Sequence, residues 1–161
     1  MTSAPPPPPG WELKVVVPES QQQAVDTLLG YITKTLTELP AGTVFDRTRY
    51  LGGYNAPCND PIEGKPDYMF SPMYQAKFPE GTDNDGTIAA TGEIWKRWGW
   101  HVMERDGFRK PNRFGYSPDG YHLQIITSNP PGYPPTLAGT SPCFRGELMR
   151  DDVWVPVTLP E

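Results

Sequence analysis

The chain has 161 residues, a net charge of −5 and a pI near 5.0. That is long enough for one domain with a two-layer core, and it lacks the basic footprint of a protein that wraps nucleic acid. No window approaches the roughly 20 apolar residues needed to cross a bilayer, so no segment reads as a membrane-spanning helix.

Hydrophobic residues make up only 37% of the chain, but 5 Trp, 8 Tyr and 6 Phe each bury a large area, so a core is expected. The 21 prolines and 16 glycines sit largely in loops and at the two ends. The first ten residues, MTSAPPPPPG, are a stiff polyproline stretch. This reads as a spacer that holds a domain off a membrane, with a ligand for a proline-binding module as the competing reading. The opening has neither the charged n-region nor the apolar h-region of a signal peptide. Met1 is accordingly read as an added start, standing where a signal sequence and a lipid-bearing cysteine were removed. Residues 1–18 are expected to form a flexible stalk in which Trp11 to Val17 adds an edge strand or lies over the core. Residues 19–161 are expected to form a single domain.

Ser20 with Gln23 makes a capping box, and Ala24, Val25, Leu28, Leu29, Ile32, Leu36 and Leu39 recur at helical spacing until Pro40-Ala41-Gly42 ends the helix. Thr43 to Tyr50 reads as a strand, followed by a loop that delivers Cys58. Asp67 to Phe78 is a second strand, interrupted by Pro72, with Tyr68, Phe70, Tyr74 and Phe78 on one face. A second helix is expected over 84–99, with Ile88, Trp95 and Trp98 on one side. Trp100 to Glu104, Arg113 to Tyr116 and Tyr121 to Thr127 then read as a meander in which Tyr121, Leu123 and Ile125 face inward. Thr136 to Gly146 carries Cys143, and Val153 to Leu159 reads as a last edge strand. The predicted fold is α+β: an antiparallel sheet of about five strands, two helices packed on one face, and one disulfide.

Cys58 and Cys143 lie in no C-x-x-C pair and beside no histidine cluster, which leaves zinc and thioredoxin-like chemistry without support. They read as one disulfide, and hence as a mark of an oxidising compartment; a pair of buried free thiols is the alternative. Asp83-Asn84-Asp85-Gly86 resembles the start of a calcium loop, but the twelfth position holds Ile94 where a bidentate Glu is required. These residues read instead as the cap of the second helix. His101 and His122 accompany no G-x-S-x-G elbow and no H-E-x-x-H motif, and the carboxylates Asp151-Asp152 and Glu63/Asp67 are too ordinary to define a glycosidase. No catalytic residue, metal ligand or cofactor is expected.

One segment runs against the overall acidity, with Lys96, Arg97, Arg105, Arg109, Lys110 and Arg113 facing only Glu104 and Asp106. Solvated helix and hairpin faces explain it most simply; an anionic ligand or lipid headgroup is the functional alternative. Trp95 and Trp98 share a helix face and are expected to seal the core, with Trp100 opening the next strand. The alternative is an aromatic groove rimmed by the basic residues. Trp95, Lys96, Arg97, Trp100, Arg105, Arg109, Lys110 and Arg113 therefore define the candidate binding surface.

Taken together, several features resemble lipoproteins of mycobacteria and related actinobacteria, the LppA-like group. They are the amphipathic helix, a first cysteine after the first strand, a helix ending in Trp98-Gly99, the run Gly120 to Leu123, and the cysteine in Ser141-Pro142-Cys143-Phe144. The likeness covers roughly residues 20 to 148 and supplies no catalytic residues. It implies a non-catalytic cell-envelope domain, membrane-anchored or secreted, that binds an envelope lipid, glycan or protein and no nucleic acid. Two alternatives are an envelope-acting hydrolase and a phage-derived protein that blocks a receptor or DNA injection. A deep pocket where histidine and carboxylate converge on a hydroxyl would favour the hydrolase. An apolar cavity would favour lipid carriage, and a filled core with a flat aromatic-basic patch would favour recognition by a surface.

Overall fold

The computed structural model describes residues 4–51, 53–58, 66–130, 132–150 and 152–161. Glu63 and Asp151 lie outside the described residues, as does Met1. Helix α1 spans Gln21–Thr37 and α2 spans Asn84–Arg97. The Ser20 side chain accepts from the Gln23 N–H at 3.0 Å while the Gln23 carboxamide reaches back to accept from the Glu19 N–H at 2.6 Å, which holds the first turn of α1. Asp83 plays the same part for α2, accepting from the Gly86 N–H at 3.1 Å.

The strands are β1 (Val44–Asp46), β2 (Asn55–Pro57), β3 (Tyr68–Phe70), β4 (Met73–Lys77), β5 (His101–Met103), β6 (Asn112–Tyr116), β7 (His122–Ile126), β8 (Thr136–Thr140) and β9 (Thr158–Leu159). Seven of them form one antiparallel sheet in the order β5-β6-β7-β8-β4-β1-β9, and β2-β3 is a separate two-stranded ribbon. The expected sheet of about five strands is thus too small. The additional strands are β8, from the run before Cys143, and β9, from the tail. Pro72, with no N–H, splits the run 67–78, so β3 joins the ribbon while β4 enters the sheet between β8 and β1. The tail then adds β9 at the edge of β1, with Leu159 opposite Phe45.

The period of two sorts the side chains cleanly. Gly115, Leu123, Leu137 and Tyr74 are cross-strand neighbours with Val102, Gly139, Ala76 and Phe45 on the same face. Both helices lie on this face. A Cβ on Gly139 would sit 3.0 Å from Leu28 of α1, and one on Gly115 would sit 2.7 Å from Trp95 of α2. Ala24, Val25, Leu28 and Ile32 from α1 and Ile88 and Trp95 from α2 are fully buried against it. At roughly 1.5–3 kcal/mol per fully buried large side chain, this layer dominates the stabilisation of the fold.

Cys58 and Cys143 are bonded to each other across 85 residues, with Cα atoms 6.4 Å apart. Cys58 follows β2 and donates its N–H to Asp67, and Phe144, beside Cys143, exchanges both N–H···O bonds with Tyr68. The bridge therefore ties the ribbon to the segment leaving β8. Residues 5–16 run beside β5 and the β6–β7 turn: the Pro5 carbonyl meets His101 Nε2 at 2.7 Å, and Trp11 Nε1 donates to the Tyr116 carbonyl at 3.0 Å.

Candidate functional site

The aromatic-basic run does not form one surface. Trp95 is fully buried, its indole N–H donating to Thr35 Oγ1 at 3.1 Å, and Trp100 stacks on it while remaining 4% exposed. Both tryptophans belong to the core, which removes them from the candidate binding surface. The basic residues are dispersed because helix and strand periods send them to opposite sides of the sheet. Lys96 pairs with Glu93 and Arg97 with Glu38 on the helix side, and Arg113, beneath Gly92, pairs with Glu104 at 3.0 Å. Lys110 is held by Asp106.

Two of them reach the opposite face, which no helix covers. Arg105 donates to the Tyr116 hydroxyl at 2.8 Å and lies over the Phe114 ring, with Phe108 packed on the same ring. His101, Tyr116 and His122 form a ladder of tilted rings across β5, β6 and β7. Burial holds the His122 pKa below its ordinary value, and the Arg105 charge acts in the same direction. Asn112, fully buried, accepts from the Arg105 N–H and donates to the carbonyls of Arg105 and Arg109, which fixes the loop carrying both arginines.

Arg109 projects over the middle of the same open face. There a groove of about 360 Å³ is floored by Gln75, Gln124 and Thr136 and walled by Arg49, Tyr50, Arg109 and Tyr133. Among the described residues no carboxylate lines it, although the chain is acidic. Neither the Arg49 nor the Arg109 guanidinium has a hydrogen-bond or ion-pair acceptor among those residues. Arg49 and the groove's tyrosines carried no sequence signal, because they come from two segments far apart in the chain, the 3-10 turn Thr48–Tyr50 and the loop before β8. Beyond Arg109 the groove continues into a second one of about 500 Å³ at the start of α2, where Asp83 and Asp85 are occupied by the helix cap and by the Thr127 hydroxyl.

The groove offers amides, hydroxyls, aromatic rings and two guanidiniums, which is the chemistry of binding. Neither histidine lines it. Ser117 and Asp119 are hydrogen-bonded to each other, but Ser117 also accepts from the Tyr121 N–H and shapes the β6–β7 turn. Among the described residues no group of three His, Cys, Asp or Glu side chains could hold a metal ion, and no helix is long and apolar enough to cross a membrane.

Fold and site thus define a disulfide-closed α+β domain whose antiparallel sheet is covered by helices on one face and open on the other. No protein-family model, curated protein or solved structure matches the chain.

Proposed function

We propose that the protein is a non-catalytic domain of the cell envelope, of the LppA-like kind, held outside the cytoplasm, and that it recognises an acidic glycan on the open face of its sheet. The disulfide supports the compartment, since such bonds persist where thiols are not kept reduced. One observation carries the ligand class: two acceptor-free guanidiniums, Arg49 and Arg109, flank a carboxylate-free groove in an acidic protein. A guanidinium fork matches a carboxylate or phosphate on a sugar. Tyr50 and Tyr133 offer ring faces to the sugar's apolar side, and Gln75 and Gln124 offer amides to its hydroxyls.

Calorimetric titration with uronic-acid, phosphorylated and neutral oligosaccharides tests this. Binding is expected for the first two only, weakening with salt. Arg49→Gln and Arg109→Gln are each expected to lower affinity about 10-fold or more, since a hydrogen bond to a charged group contributes ~1.5–3 kcal/mol. Binding of neutral sugars alone, or affinities untouched by both substitutions, would overturn the assignment.

A further inference from the structure

Residues 11–17, which pack over the His101 end of the open face, carry a feature apart from the groove between Arg49 and Arg109. The Lys14 and Val16 N–H groups donate to the carbonyls of Pro118 and Asp119 at 2.7 and 3.0 Å, so the even-numbered backbone groups of this extended segment face the domain. In extended chain the odd-numbered groups point the other way. The N–H groups of Leu13, Val15 and Val17 have no partner among the described residues. Leu13, Val15, Val16 and Val17 are between 52% and 61% exposed, an apolar edge of the kind that soluble proteins ordinarily blunt. Below it, Trp11, Leu13 and Val15 roof an apolar groove of about 380 Å³ over Met103 and Gly120.

We infer that this edge pairs antiparallel with the same segment of a second copy of the chain, with Leu13 on the two-fold axis. Charge complementarity argues for both the occupant and the register. With Leu13 opposite Leu13, Glu12 of each copy faces Lys14 of the other, so the segment is complementary to itself. The Leu13 residues exchange both N–H···O bonds, and Val15 lies opposite Trp11. Moving the axis to residue 12 sets Glu12 against Glu12, and moving it to residue 14 sets Lys14 against Lys14; both are repulsive. The Glu12 and Lys14 side chains are more than 70% exposed and, among the described residues, bond only to each other, at 3.8 Å, so they are free to extend this pair across the axis. The Trp11, Leu13 and Val15 side chains of both copies then form one continuous apolar roof. This is the isologous geometry of a two-fold dimer.

Sedimentation equilibrium on the full chain, from micromolar to about 1 mM, reads the association directly. The wild type is expected to show a monomer–dimer equilibrium. Glu12→Lys and Lys14→Glu, each placing like charges opposite one another, are expected to sediment as monomers with unchanged near-ultraviolet circular dichroism. Mixing the two variants in equal amounts restores the dimer, because each supplies the charges the other lacks. A wild type that stays monomeric throughout overturns the inference. So does a dimer unaffected by either substitution, or one that the mixture fails to restore. Monomeric wild type that pellets with phosphatidylglycerol–phosphatidylcholine vesicles would likewise overturn it, assigning the strip to a bilayer.

Discussion

The Trp95 indole of α2 packs over Gly115 near the end of β6, so close that a Cβ there would come within 2.7 Å of the ring. The pair sets the separation of helix and sheet, and Trp100 stacks on the ring from the side. Trp95→Ala is expected to cost ~3–5 kcal/mol, the range for emptying a buried aromatic site. Gly115→Ala is expected to cost ~1–3 kcal/mol, because the added methyl must push a packed ring aside. Urea unfolding followed by tryptophan fluorescence measures both.

Arg47 is 4% exposed and has no carboxylate partner among the described residues; its Nη2 and Nε donate to the carbonyls of Val155 and Pro156 at 3.1 and 3.3 Å, and its N–H donates to the Val157 carbonyl. Tyr74 donates to the same Pro156 carbonyl, its burial pushing its pKa up to about 12 so that the hydroxyl remains a donor. Arg47 therefore fastens the tail that supplies β9. Arg47→Met strips the guanidinium from buried carbonyls and is expected to cost ~1–3 kcal/mol. Limited proteolysis should then cut within 153–159 in the variant well before the wild type.

The bridge between Cys58 and Cys143 closes a loop of 85 residues, which on the chain-entropy argument stabilises the fold by roughly 4–5 kcal/mol. Intact mass after alkylation of the native, unreduced protein is expected to show no modified cysteine, and reduction is expected to expose both. Thermal unfolding with reductant should occur at markedly lower temperature, and the Cys58→Ser/Cys143→Ser pair should behave like the reduced protein.

Two acidic steps in stability are expected. His122 is kept neutral by burial, so below about 6.5 the unfolded chain takes up a proton that the folded one resists, and stability falls as pH drops from there. Asp46 is held down to about 2 from its ordinary 3.8 by hydrogen bonds from Lys77 and Thr48. Its contribution is complete above about 4 and is lost as pH falls through about 2; for so exposed a pair it is at most ~1 kcal/mol. Urea midpoints measured across pH 7 to 2 should show the first step flattened in His122→Gln and the second in Asp46→Asn.

Helix α1 was readable down to its cap, because Ser20, Gln23 and the apolar stripe are local signals with a period of 3.6. The meander was readable for the same reason, as alternation between glycine-containing turns. The strand Thr43 to Tyr50 was overextended: only Val44–Asp46 pairs, since the Asp46 side chain accepts from the Thr48 N–H and starts a 3-10 turn. Strands β2 and β9 are too short to carry a period, and their existence depends on partners distant in sequence. The basic run looked like one surface because Lys96 to Arg113 is continuous in sequence. In space, a helix and a hairpin divide it between the two sides of a sheet.

The amino-acid sequence by itself determined the disulfide pair, the two helices and the α+β class, all set by residue type and short-range periodicity. Only the tertiary structure decided the seven-stranded order, the fate of Trp95 and Trp100 as core, and the meeting of Arg49 with Arg109 over an open sheet face. Those outcomes rest on pairing between strands far apart in the chain, and pairing of that kind is fixed by which apolar faces can be buried together rather than by any local pattern.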